Sequence, residues 1–239
     1  MMRSFRKNRL LLLVFLLCTL TACGWRGRKE TIPDPEPTEP VAEGPTYTPT
    51  PFVSKDPVET DVDTNAISLI PDFSQNENPI WELSPKIPIS NSVNGRGTTE
   101  AYYQLYYEPH ALYVRVCVND GTPSTGDKVV FYLNESGKKP AKYGVGDCFC
   151  SVDRNNNVQY GTGCDPAKIK TKTSSYGESY AVEIMLPLLS VTAQKGTEIG
   201  FDAAVYDYSG NTLVRHLQWS DTSGRTDTTL QGVGTIDFE

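Results

Sequence analysis

Apolar and polar positions alternate with period two over most of the second half of the chain. Leu112, Val114, Val116 and Val118 interleave with Tyr113, Arg115, Cys117 and Asn119. This predicts a strand with one buried face, because successive side chains of a strand point to opposite sides of a sheet. Val129, Phe131 and Leu133 alternate likewise with Lys128, Val130, Tyr132 and Asn134. Tyr180, Val182, Ile184 and Leu186 form a third run, stopped by Pro187, and Ile199, Phe201, Ala203 and Val205 a fourth. Turn-forming clusters separate the runs: Glu108-Pro109-His110, Asn119-Asp120-Gly121, Asn134 to Gly137 and Asp207 to Asn211. Roughly ten short strands of this kind predict an all-β fold, an antiparallel β-sandwich of jelly-roll or immunoglobulin-like type. Pro187 to Ala193 is the stretch that admits a short helix.

Before residue 64 the pattern is different. Arg3, Arg6, Lys7 and Arg9 precede an unbroken apolar run from Leu10 to Cys18. A basic start, a short apolar core and small residues before a cut make a secretory signal. The run is too short for a permanent membrane span. Leu20-Thr21-Ala22-Cys23 has the form of a bacterial lipobox. Residues 1–22 are then a lipoprotein signal peptide, and Cys23 becomes a lipidated N-terminus that anchors through several acyl chains. Residues 23–63 read as anchor and linker. Eight prolines lie between Pro33 and Pro57, and nine acids stand against Lys55 from Glu30 to Asp63. Proline stiffening and like-charge repulsion favour an extended spacer over a packed core. The folded domain is residues 64–239. The expected location is the bacterial cell surface, with the membrane as a partner through the lipid.

The net charge of -7 counts against nucleic acid, whose phosphates need a basic face. Catalysis finds no motif: there is no Gly-x-Ser-x-Gly, His-Glu-x-x-His or phosphate-cradling loop, so a non-enzyme is expected. The thirteen tyrosines are the distinctive feature of the composition. Aromatic side chains join a large apolar face to a polar tip, which suits contact with a ligand. Tyr102, Tyr106 and Tyr160 are the candidate ligand contacts, with Trp219 carried beside them although its size favours the core. Asp153, Asn155 and Asn157 have the alternation that opens a calcium loop, but Val158 and Cys164 stand where Gly and Glu belong. A hairpin turn is the simpler reading. Four cysteines fall in the domain, and an even count in an exported chain reads as disulfides. If Arg154 to Val158 turns a hairpin, Cys148 lies opposite Cys164, which leaves Cys117 for Cys150. A four-cysteine zinc site and free thiols are the alternatives.

The order of segments carries a resemblance. Ile80-Trp81 opens it and an amphipathic strand follows to Ile89. Then come AYYQLYYEPHALYVRVCVND, GDKVVFYLN, SYAVEIMLPL, IGFDAAVYDYSGN and HLQWSD. In this order they resemble the family 9 carbohydrate-binding modules and their DOMON-like relatives, over residues 76 to 239. The resemblance implies a non-catalytic β-sandwich that binds a poly- or oligosaccharide between two clamp aromatics. Those clamp positions fall in Thr122 to Gly126 and Thr222 to Asp227, where this chain has no aromatic, and Val130 replaces the family's Glu. Trp219 matches the family's structural Trp. Asp120, Asp127 and Asp207 match family acidic positions, and since relatives often carry a structural calcium near loop acids, the resemblance makes them the candidate calcium ligands. The expected function is glycan capture by a surface lipoprotein. The alternative is a protein-interaction or scaffolding module of the cell envelope that has lost sugar binding.

Overall fold

The computed structural model describes residues 46–47, 70–75 and 77–238. The expected signal peptide, Cys23 and the linker apart from Thr46–Tyr47 lie outside the described residues. The chain forms β1 (Thr46–Tyr47), α1 (Ile80–Leu83), β2 (Ile87–Pro88), β3 (Asn91–Gly95), β4 (Glu100–Glu108), β5 (Ala111–Asn119) and β6 (Lys128–Asn134). It continues through β7 (Asp147–Asp153), β8 (Val158–Tyr160), β9 (Lys170–Tyr176), β10 (Ser179–Pro187), β11 (Thr197–Ser209), β12 (Thr212–Gln218) and β13 (Gly234–Phe238). These make a five-stranded sheet, ordered β2-β4-β5-β10-β9, and an eight-stranded sheet built on β1-β13-β11-β6-β7-β8. In the larger sheet β12 pairs with β11, and β3 with β12. Among the described residues all pairings are antiparallel except that of β1, which runs parallel to β13 inside the stretch expected to be plain spacer.

The alternating runs become the core as their spacing predicts. Val114 and Val116 of β5 face Leu105 and Tyr103 of β4 on one side and Ile184 and Val182 of β10 on the other. In the larger sheet Phe131 of β6 stands opposite Cys150 and Ala203. Inward residues of both sheets form one continuous apolar core that includes Trp219, Phe201 and Phe238. The burial of several polar-phase positions was not foreseen. Tyr113 is 6% exposed because Ile80, Trp81 and Phe73 cover the outer face of the five-stranded sheet. Tyr132 and Val130 are buried because Leu230 and Val233 cover the outer face of the other sheet.

Two local expectations are corrected. Ile80 to Leu83, read as the approach to a strand, is a one-turn helix, and the strand shrinks to Ile87–Pro88. Pro187 to Ala193 forms no helix. Leu188 N–H donates to His110 O at 2.9 Å and Ala193 N–H to Pro109 O at 2.9 Å, so the β4–β5 turn takes the donors a helix would use. The β3–β12 pairing carries a bulge between His216 and Leu217. Gly95 sits at its end with φ +82°, where a Cβ would lie 2.0 Å from Val214 O.

Candidate functional site

An open cavity of about 660 Å³ lies at the end of the sandwich where β4 begins, β5 ends and β9 turns into β10. Its size is within the ordinary range of small-ligand sites. Ile89, Val118 and Leu217 supply apolar lining, and Tyr102 and Tyr176 the aromatic rings. Lys86, Glu100, Asn119 and Arg215 add charge and hydrogen-bonding groups. Lys86 Nζ lies 5.0 Å from the centre of the Tyr102 ring, within cation–π range. Burial first, then the Cys117 side chain beside it, pushes the Tyr102 phenol up to about 12, so it stays a hydrogen-bond donor at neutral pH. Tyr180 and Arg215 also line the cavity, and the Tyr180 hydroxyl and Arg215 Nε are buried with no hydrogen-bond partner among the described residues.

The other tyrosines expected at the site lie elsewhere. Tyr106 packs on Tyr113 with ring centroids 5.8 Å apart, beside Ile80 and Trp81. Tyr160 is 41% exposed on β8, at the edge of the other sheet. Trp219 is 6% exposed and meets Tyr103 edge-on at 5.2 Å, which removes it from the ligand set and places it in the core. Only Tyr102 of the four lines the cavity.

The segments matching the family's clamp positions flank the outer face of the eight-stranded sheet. Val130 is buried there with Leu230 and Val233. Tyr206 and His216, cross-strand neighbours on β11 and β12, stack at 4.1 Å and 21°. Lys128 Nζ lies 5.4 Å from the Tyr206 ring. Tyr132 donates to Asp227 Oδ1 at 2.5 Å, tying the 222–227 segment down onto the sheet. Gln218 Nε2 donates to Thr226 Oγ1 at 2.5 Å and to Asp202 Oδ2 at 3.0 Å. Hydrogen bonds thus tie the 222–227 segment to the sheet, while Lys128 and Tyr206 stay partly exposed beside it.

Asp120, Asp127 and Asp207 converge as expected, with one oxygen from each within 4.8 Å of the others. Sequence reasoning missed Arg154, which joins two of them. Arg154 Nη2 lies 3.0 Å from Asp120 Oδ2 and its Nε 3.0 Å from Asp127 Oδ2. The β7–β8 hairpin aims it there: Asp153 Oδ1 accepts the N–H groups of Asn155 and Asn157, both at 2.8 Å, and Asn156 takes φ +62°. The Asp153-Asn155-Asn157 alternation is therefore a side-chain-capped turn. Burial, with Asp120 nearby, outweighs the Tyr208 and Ser124 N–H groups and raises Asp127 to about 6.

Neither expected disulfide is bonded in the structure, but Cys148 and Cys164 stand 2.9 Å apart at Sγ, across the expected hairpin. The Cys117–Cys150 pairing is not formed. Cys117 points outward from the five-stranded sheet beside Tyr102, while Cys150 points into the core from the other sheet. Cys150 instead neighbours Cys164, and the Cys148 and Cys150 thiols together lower Cys164 to about 4.

Lys86 and Arg215 escaped sequence reasoning because they come from distant segments. The Tyr206–His216 pair left no simple signal either, since a bulge between Asp207 and Tyr208 shifts the register that the turn at Ser209 to Thr212 would set.

Comparison with known proteins agrees with this architecture. A family model described as "Carbohydrate family 9 binding domain-like" matches residues 75–237. An endo-1,4-beta-xylanase A of Thermoanaerobacterium saccharolyticum is 23% identical over 167 residues, and exoglucanase XynX of Acetivibrio thermocellus 27% over 165. The matches cover 70% and 66% of this chain but only 14% and 15% of those enzymes. Among solved structures, a family 9 carbohydrate-binding module of Caldicellulosiruptor kristjanssonii in complex with glucose superposes with TM-score 0.65 at 20% identity. That match covers 82% of this chain and 96% of that one. The cellotriose complex of a module from the same organism gives TM-score 0.61 at 23% identity, covering 67% and 85%. With the family model matching most of its length and the sandwich in place, the chain belongs to the carbohydrate family 9 binding domain-like family.

Proposed function

We propose that this protein is a lipid-anchored, non-catalytic module that captures glycan at the bacterial cell surface, and that it does so in the Tyr102 cavity. The observation that carries this reading is the cavity itself. It joins a Tyr ring beside Lys86 to apolar walls and to the charged and polar groups of Glu100, Asn119 and Arg215. A sugar has both kinds of surface: C–H faces for the ring and hydroxyls for the polar groups. The lack of an aromatic in Thr122 to Gly126 and in Thr222 to Asp227 turns attention to this end of the sandwich. Anchoring through Cys23 and display on the Pro-rich acidic linker rest on the lipobox and the composition.

The relatives point to the first probes, since the solved modules are complexed with glucose and cellotriose and the curated relatives include xylanases. The test is calorimetry and affinity electrophoresis with cello- and xylo-oligosaccharides, followed by a broad glycan array. Binding that Tyr102→Ala abolishes and Tyr102→Phe retains supports the proposal. No binding to any glycan, or binding indifferent to Tyr102→Ala, refutes it. Capture of an envelope protein that survives glycosidase treatment would establish the scaffolding reading instead.

A further inference from the structure

Relatives lead one to expect calcium at the Asp120, Asp127 and Asp207 cluster, but the donor set here does not suit it. Calcium takes about six to eight oxygen ligands in a flexible shell. Most of the six carboxylate oxygens here already accept a hydrogen bond. Asp120 Oδ1 accepts from Thr122 N at 2.8 Å, and Oδ2 from Arg154 Nη2. Asp127 Oδ1 accepts from Tyr208 N at 2.8 Å, and Oδ2 from Ser124 N at 2.6 Å as well as facing Arg154 Nε. Asp207 Oδ2 accepts from Thr99 Oγ1. Asp207 Oδ1 alone has no partner among the described residues.

Arg154 is itself a built part of the fold. Its side chain is 10% exposed, lies 4.3 Å above the Tyr180 ring, and donates to Glu178 O at 2.5 Å. A guanidinium keeps its charge at every relevant pH and presents a planar fork that suits several carboxylates at once. A second cation placed among the same oxygens would meet that charge at close range. We infer that Arg154 is the resident cation of this cluster and that this end of the sandwich holds together without calcium.

The consequence extends to the cavity. Thr99, Tyr180 and Arg215 all line it. Thr99 bonds Asp207, Tyr180 lies under Arg154, and Arg215 pairs in register with Asp207. The cluster therefore sets one wall of the cavity, and ligand capture should need no divalent ion. That extension rests on the cavity reading above, whereas the claim about Arg154 does not.

The test uses thermal unfolding and terbium luminescence excited through tyrosine, neither of which requires a glycan. The unfolding midpoint of the wild-type protein should be the same in excess EDTA and in millimolar calcium. Terbium should give no stoichiometric signal that calcium displaces. Arg154→Met should lower the midpoint in EDTA, regain it with calcium and acquire the terbium signal, while Arg154→Lys should remain indifferent to chelation. A wild-type midpoint that falls on chelation, or a calcium-displaceable terbium signal in the wild type, overturns the inference. So does a folded Arg154→Met protein that ignores calcium. If Arg154→Met does not fold in either condition, the wild-type pair of measurements decides.

Discussion

Replacing Trp219 with Ala separates a core role from a ligand role for the most prominent aromatic near the C-terminus. The ring is 6% exposed, edge-on to Tyr103 at 5.2 Å and tilted against Phe201 at 6.1 Å. Its backbone is fixed by Trp219 N–H donating to Ala203 O at 3.0 Å and by Asn91 Nδ2 donating to Trp219 O at 2.7 Å, so the surroundings have little freedom to collapse. A buried aromatic of this kind removes about 150–250 Å² from water. At ~25 cal/mol per Å² the burial contributes about 4–6 kcal/mol. Truncations of buried Trp and Phe to Ala cost about 3–5 kcal/mol, and the middle of that range, ~4 kcal/mol, is the expectation here. For a domain of this size each kcal/mol moves the midpoint by about 2–4 °C, which gives a fall of roughly 8–16 °C. Urea unfolding followed by circular dichroism measures the change, and an unchanged slope keeps it a difference in stability. Trp219 does not line the cavity. Below its own midpoint the variant should therefore bind whatever the wild type binds. A variant as stable as the wild type that has lost its ligand would refute the packing argument and return Trp219 to the ligand set.

Two further outcomes follow from the titrating groups. Burial holds His216 below its ordinary 6.5, against the opposing pull of the Asp227 and Asp221 carboxylates and Gln218. A depressed base contributes stability that is complete above 6.5 and is lost as pH falls through that value, because the unfolded chain takes the proton first. Urea midpoints should drop below that pH, and His216→Gln should flatten that part of the slope; parallel slopes in the two proteins would count against it. Under air, Cys164 should join Cys148, since it is the most acidic thiol of its cluster and the nearest partner is 2.9 Å away. Non-reducing peptide mapping should find that link and an alkylatable Cys117, whereas a Cys117–Cys150 peptide would contradict the geometry.

Period-two alternation was enough to place β5, β6, β10 and β11, because one face of each strand must leave water. It did not reveal that Tyr113 and Tyr132 are also buried, since that depends on chain segments that return over the outer faces. The helix at Ile80 to Leu83 left no periodic trace, because a single turn is too short to show one. At the site, Tyr102 was legible as an aromatic on a strand, and the three acids as turn residues in matching places. Arg154 was passed over as part of a polar turn. Its role is set by where the β7–β8 hairpin points, and one strand's sequence does not carry that information. The Cys117 assignment failed for a related reason: elimination assigns a partner but ignores that odd and even positions of two facing sheets point opposite ways.

The edges of the two sheets bear on how such modules behave when many copies share one surface. On the five-stranded sheet, β2 is two residues long and includes Pro88, which has no N–H to offer, and β9 carries Lys170 and Lys172. On the larger sheet, β8 has three residues, β3 ends in the twist at Gly95, and β13 is covered by β1. Unpaired strands of ordinary length would let adjacent copies add to one another's ladders, the route by which crowded β proteins aggregate. Short, proline-bearing, lysine-bearing and bulged edges close that route. Copies held side by side can then stay separate at high density, each keeping the cavity end of its sandwich open.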